Sequence, residues 1–177
     1  MDPVDPGAAL VRRGIRDVPD FPRPGVLFKD LTPLFADGEL FHGVIDAIAG
    51  RYAGGFDVVA GIEARGFMIA SALAYATGVG VVPVRKAGKL PRAAYAASYA
   101  LEYGQATLEV HRDAFPVGER VLVVDDVLAT GGTVAATLGL VELAGGTVSG
   151  VCVLLELGFL HGRDRLAGRS VHALLTV

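Results

Sequence analysis

Arg120-Val-Leu-Val-Val-Asp-Asp-Val-Leu-Ala-Thr-Gly-Gly-Thr133 is the stretch whose reading decides the fold. It opens as a continuous apolar run of strand formers, the pattern of a strand covered on both faces. The run ends in two adjacent carboxylates, Asp125 and Asp126, and then in a turn of small residues, Ala129, Thr130, Gly131, Gly132 and Thr133. From Gly132 to Ala144 the chain reads as a helix. Small residues free the backbone N–H groups of such a turn to converge on a phosphate at the positive end of the helix. Thr130 and Thr133 add hydroxyl donors. Two acids beside an anion site make poor sense for phosphate alone, but they suit sugar hydroxyls and the ordering of Mg²⁺.

The same alternation extends in both directions. Upstream, the spacing predicts a short helix over Ala8–Asp17, a Pro-rich turn over Pro19–Gly25 and a helix over Glu39–Tyr52. A strand over Asp57–Gly61 and a helix over Phe67–Ala76 follow. From Gly66 to Val84 there are 19 residues without a charge. Gly78 and Gly80 break that run, so it reads as a buried helix and then a buried strand, Gly80–Val84, rather than a membrane span. The polar region Lys86–Gly104 interrupts the rhythm. Downstream come strands over Thr107–His111 and Ser149–Glu156, a helix near Arg163 and a last strand over Val171–Leu175. Alternating strands and helices argue for one α/β domain over residues 1–177, a parallel sheet with helices on both faces. Ligands of such sheets sit beyond the carboxyl ends of the strands, here after Gly61, Val84 and Val124.

Composition bounds the function. Hydrophobic residues make up 52% and charged residues 20% of the 177, as in a globular chain. A net charge of −3 gives no broad field for nucleic acid or an anionic membrane, so any anion must be held by local geometry. The single Cys152 excludes an internal disulfide or a cysteine metal cluster and fits a cytoplasmic location. The beginning, Met-Asp-Pro-Val-Asp-Pro, has no apolar signal core. The four histidines have no metal-ligand spacing. All three lysines, Lys29, Lys86 and Lys89, fall inside the segments taken up next.

The Asp-Asp and small-Thr-Gly-Gly-Thr string resembles the phosphoribosyl pyrophosphate (PRPP) motif of the type I phosphoribosyltransferases. It is neither a P-loop nor a dinucleotide fingerprint. The resemblance implies that Asp125 and Asp126 take the ribose hydroxyls and that Ala129 to Thr133 cradle the 5-phosphate. Four further segments, in the same order along the chain, are similar to those of the adenine phosphoribosyltransferases within that family. Gly61-Ile-Glu-Ala-Arg-Gly-Phe67 looks like the pyrophosphate loop. That likeness implies pyrophosphate contacts at Glu63, Ala64, Arg65 and Gly66, with a non-proline cis peptide near Glu63-Ala64. Val84-Arg-Lys-Ala-Gly-Lys-Leu-Pro91 resembles the segment that reaches pyrophosphate with Arg85, Lys86 and Lys89. Ala97-Ser-Tyr-Ala-Leu-Glu-Tyr-Gly104 is similar to the end of the mobile catalytic loop, residues 86–104 here, and its Glu-Tyr-Gly marks Glu102 as the catalytic carboxylate. Asp20-Phe-Pro-Arg-Pro-Gly-Val-Leu-Phe-Lys-Asp-Leu-Thr-Pro33 matches the hood over the base, a small N-terminal segment of about residues 1–35. There the resemblance implies adenine packed on Leu27 and Phe28, its edge read by backbone groups of Leu27 and Lys29.

The resemblance therefore implies conversion of adenine and PRPP to AMP and pyrophosphate in purine salvage. It also implies Mg²⁺ as the cofactor, bound mainly through PRPP with no direct protein ligand assigned, and a homodimer as the assembly. In that reaction a purine nitrogen displaces pyrophosphate from the anomeric carbon through a cation-like ribose. Arg65, with Lys86 and Lys89, would stabilise the leaving group, and Glu102 would handle or orient the purine proton. Two alternatives keep the fold. One is another purine phosphoribosyltransferase, acting on hypoxanthine, guanine or xanthine. The other is a PRPP-sensing regulator, which usually adds a nucleic-acid domain or a basic face, and neither is visible in this sequence.

Overall fold

The computed structural model describes residues 6–100 and 105–177. The buried run from Arg120 is an interior strand of a seven-stranded sheet. In chain order the main elements are α1 (Pro6–Gly14), β1 (Arg16–Pro19), β2 (Leu27–Asp30), α2 (Thr32–Ala36) and α3 (Gly38–Arg51). Next come β3 (Val58–Ile62), α4 (Gly66–Thr77), β4 (Gly80–Lys86), β5 (Ala94–Ala100) and β6 (Gln105–His111). The chain continues with β7 (Arg120–Leu128), α5 (Gly132–Leu143), β8 (Thr147–Glu156), two short 3-10 turns (Gly158–Leu160 and Gly162–Leu166) and β9 (Val171–Thr176).

The sheet runs β5-β6-β4-β3-β7-β8-β9, and its strands from β4 to β9 are parallel. From β3 the chain crosses through α4 to one side. From β7 it crosses through α5 to the other. The winding therefore reverses between β3 and β7, and the crevice of a doubly wound sheet lies at that reversal. Alternate residues of the central strands feed two cores. Val59, Leu122, Val124 and Leu154 pack with α1, α3 and α4 on one face. Val58, Ala60, Val121, Val123 and Val153 pack with Val134, Leu138 and Val141 of α5 on the other. Helices cover both faces, as the unbroken apolar strands require.

Several expectations need correction. The sheet is not wholly parallel, because β6 pairs antiparallel with β4 at Arg85–Glu109 and with β5 along its length. Residues 94–100 were expected inside a mobile loop. They form an edge strand, with Ser98 Oγ and Thr107 Oγ1 2.8 Å apart across the pair. The first helix stops at Gly14 instead of Asp17, and Arg16–Pro19 pairs with Leu27–Asp30 in a separate antiparallel ribbon. Strand β4 is mainly exposed, with Val84 buried and Val81 44% exposed. The helix expected near Arg163 is the pair of 3-10 turns. Among the described residues no helix is long and apolar enough to cross a membrane.

Candidate active site

The winding reversal opens into a cavity of about 860 Å³, a volume suited to a nucleotide-sized ligand. Its floor comes from the carboxyl ends of β3 and β7. Gly61 and Val124 are register partners, so the turns after these strands leave the sheet side by side. Close packing of the two turns depends on glycine. A Cβ on Gly66 would lie 2.9 Å from the Val124 carbonyl oxygen and 3.0 Å from Asp125 Oδ1, and one on Gly61 would lie 2.7 Å from Ala70 Cβ. The Glu63-Ala64 peptide is cis, as the family resemblance implies.

Asp125 and Asp126 are both buried. The Asp126 N–H donates to Asp125 Oδ1 at 2.9 Å. Arg65 Nε lies 2.7 Å from Asp126 Oδ2, close enough for an ion pair but without the alignment of a hydrogen bond, so that buried oxygen has no protein donor aimed at it. Burial pushes the Asp125 carboxyl well above the usual carboxylate range, and the Asp126 charge adds to the rise. Burial raises Asp126 as well, while Arg65 pulls it back down. Two carboxylates held against their preference in a cavity are poised for hydroxyl donors or a cation.

Ala129 and Thr133 line the same cavity; Thr130, Gly131 and Gly132 complete the turn between them. Gly131 has φ of 79°, a left-handed conformation that favours glycine, and caps the start of α5. Leu27, Phe28 and Lys29 of β2 also line the cavity. Phe28 meets Phe21 edge to face at 5.1 Å, and the Arg65 guanidinium lies 5.9 Å from its ring centre. Leu27 is 53% exposed despite its apolar side chain, which leaves it available to a flat ligand. The Lys29 ammonium turns to Asp17 Oδ1 at 2.7 Å.

The cation segment joins the cavity through Glu63. Glu63 Oε2 accepts the Lys86 N–H at 3.0 Å and Arg85 Nε at 3.3 Å; the Lys86 bond, followed by the Arg85 charge, holds its carboxyl below the usual range. Arg85 also donates to the Lys89 carbonyl at 3.1 Å. The ammonium-bearing residues Lys86 and Lys89 are exposed, beside Glu63 rather than in the cavity wall. Glu102 lies outside the described residues, and Tyr99, near the end of β5, lines the cavity.

The sequence reading missed the wall that closes the cavity, made by Leu157, Phe159 and Leu160 after β8 and by Val177. A signal was available. Strand β8 runs parallel to β7 and ends at the same sheet edge, so whatever follows Glu156 must emerge beside the Asp125 turn.

Residues 35–171 match the phosphoribosyl transferase domain family. A curated adenine phosphoribosyltransferase from Salinispora arenicola is 71% identical over 98% of this chain and 94% of its own length. The chain belongs to the adenine phosphoribosyltransferase family. The structure of the adenine phosphoribosyltransferase from Thermoanaerobacter pseudethanolicus superposes with a TM-score of 0.90 at 47% identity, covering 94% of this chain and 98% of that one. The Saccharomyces cerevisiae adenine phosphoribosyltransferase, solved with adenine and an imino-altritol bisphosphate, gives 0.91 at 39% identity, covering 96% and 98%. As a member of this family the chain is a pentosyl-transferring enzyme, and its mostly parallel sheet is that of the type I phosphoribosyltransferases.

Proposed function

We propose that this phosphoribosyltransferase joins adenine to PRPP, releasing AMP and pyrophosphate, as a cytoplasmic purine-salvage enzyme. One observation carries the reading: apolar and aromatic Leu27 and Phe28 and a buried acid pair line one cavity, with Arg65 close to both. The first suits a purine, the second a sugar, and a glycosyl bond forms where the two meet. The relatives' shared name supports adenine as the base.

Each residue then has a task. Asp125 and Asp126 accept the ribose hydroxyls, and Ala129 to Thr133 cradle the 5-phosphate with backbone N–H groups. Arg65, placed between Asp126 and Phe28, faces the pyrophosphate, with Glu63, Ala64 and Gly66 forming that turn and Arg85, Lys86 and Lys89 reaching in from β4. Leu27, Phe28 and the Lys29 backbone hold adenine. Glu102 handles or orients the purine proton.

The residues fit Mg²⁺ that arrives with PRPP. Asp125 and Asp126 offer oxygen donors, yet among the described residues no group of three or more His, Cys, Asp and Glu gathers to hold a metal alone. The ion supplies charge stabilisation on the leaving pyrophosphate. The chain works as one domain, with residues 1–35 as hood and the segment 86–104, which includes the edge strand β5, beside the site. A homodimer is supported by exposed apolar Met68 and Tyr75 on α4 and Val81 on the adjacent β4.

The test is direct. Purified protein mixed with PRPP, adenine and Mg²⁺ should form AMP and pyrophosphate, and a chelator should stop the reaction. No nucleotide product under these conditions rejects the proposal.

A further inference from the structure

Against the Ala129–Gly131 backbone lies the 3-10 segment that follows β8, and the two backbones meet at contact distance. The Gly162 carbonyl oxygen sits 2.2 Å from where a Cβ on Gly131 would be. In the other direction, a Cβ on Gly162 would lie 2.1 Å from the Ala129 carbonyl oxygen and 2.9 Å from the Gly131 nitrogen. Backbone atoms cannot swing aside as a flexible side chain can, so neither glycine accepts a methyl without moving the other strand of chain. Gly131 is also committed to glycine by its positive φ. Gly162 is not in the left-handed region, so the contact alone demands it there.

The neighbouring residue anchors this contact. Arg163 donates Nε to Glu156 Oε1 at 3.0 Å and Nη2 to Glu156 Oε2 at 2.5 Å. Its Nη1 donates to the Val171 carbonyl at 2.7 Å. Glu156 is the buried last residue of β8, and Val171 is the first of β9. A two-pronged guanidinium–carboxylate bond is directional as well as strong, so it fixes where Arg163 sits and with it Gly162.

We infer that Gly162 and the Arg163–Glu156 latch are positioning elements of the phosphate cradle, holding the Ala129–Gly131 backbone in the shape that receives the 5-phosphate. The inference rests on reading that turn as the cradle. These residues act through the turn and not on the ligand, so their loss should weaken phosphate-ester affinity far more than base binding.

Gly162→Ala is the sharpest probe, since its backbone conformation accepts alanine and only the contact changes. Calorimetry with ribose 5-phosphate should show Kd raised about tenfold or more, the scale of a sub-ångström misplacement. The KM for PRPP should rise in step, while kcat at saturating PRPP and the KM for adenine stay within about threefold. Arg163→Lys keeps the charge but loses the fork; it should shift the same constants in the same direction by about threefold, and it carries the test if Gly162→Ala does not fold. Gly139→Ala, an exposed α5 position with open space for a methyl, should change none of them. Wild-type constants in both Gly162→Ala and Arg163→Lys overturn the inference alone, as does an equal loss of adenine and PRPP binding, which marks a merely structural role. Failure of the unsubstituted chain to bind ribose 5-phosphate overturns the cradle reading and the inference with it.

Discussion

Asp125 and Asp126 are held in an environment that opposes their own charge, and that conflict separates stability from function at single residues. An acid whose folded pKa lies above its unfolded value stabilises the fold fully only below the ordinary carboxylate range. That contribution is lost as pH rises through the raised value. For Asp125 the cause is burial first and the Asp126 charge second, so the ligand-free protein pays at neutral pH. Asp125→Asn should therefore raise Tm at pH 7 by about 2–4 °C, the shift of about 1 kcal/mol in a chain of this length. The gain should vanish below about pH 4, where the carboxylate is protonated in both states. The same variant should bind PRPP more weakly by calorimetry with Mg²⁺ present. A Tm–pH profile parallel to that of the parent would show that burial does not oppose the charge. At Glu102 the expected separation is kinetic. Glu102→Gln should lower kcat by roughly 10²–10⁴, the usual range for a positioned acid or base, with PRPP affinity little changed. A fall in kcat without extra PRPP hydrolysis marks a chemical role, extra hydrolysis marks a role in closure, and unchanged kcat and KM remove Glu102 from the reaction.

At the scale of elements, the turn between β3 and α4 fits against β7 only because residue 66 has no side chain. Gly66→Ala would drive a methyl against the Val124 carbonyl and Asp125 Oδ1, and both belong to the strand end that carries the acid pair. Overpacking of this kind costs about 1–3 kcal/mol, so thermal unfolding should shift down by several degrees. PRPP binding should weaken more than adenine binding, because the displaced atoms lie on the β7 side of the cavity. Equal weakening of both ligands would show that the turn serves only the fold. This contact also marks what the sequence made legible. The Arg120–Thr133 string announced strand, acids, turn and helix because each local pattern agrees with its neighbour. The Lys86–Gly104 region misled because its short run of Ala, Ser and Tyr is weakly apolar, although Tyr95, Ala97 and Tyr99 alternate toward the core of α5 and β5 pairs along its length with β6. The β1–β2 ribbon was hidden because Arg16–Pro19 has no alternation, and its partner lies beyond a Pro-rich turn. Gly162 was invisible in sequence because nothing local requires it. Its reason is a carbonyl more than thirty residues away in the chain.

Over the whole molecule, the base selectivity proposed for this cavity would depend on distant parts of the chain meeting at the carboxyl ends of the strands. The hood ribbon supplies Leu27 and Phe28, β7 supplies the acids and Val127, and the segment after β8 supplies Leu157, Phe159 and Leu160. None of these segments is adjacent in sequence, so the apolar slot exists only in the folded chain. In such a slot the exocyclic group of a purine is read by backbone donors and acceptors of fixed polarity. The Lys29 ammonium is already committed to Asp17, so under the proposed function the main chain of β2 would be the reader on that wall. A 6-amino group donates where a 6-oxo group accepts, so hypoxanthine or guanine would leave a polar edge unpaired on both sides. A hundredfold preference corresponds to roughly 2.7 kcal/mol, within the reach of one mispaired buried edge. AMP formation from adenine should accordingly exceed IMP or GMP formation at least about a hundredfold in kcat/KM under equal PRPP and Mg²⁺. Comparable rates with hypoxanthine would show that the slot recognises purines by shape alone. The backbone reading of the base would then be wrong even with the phosphoribosyl transfer intact.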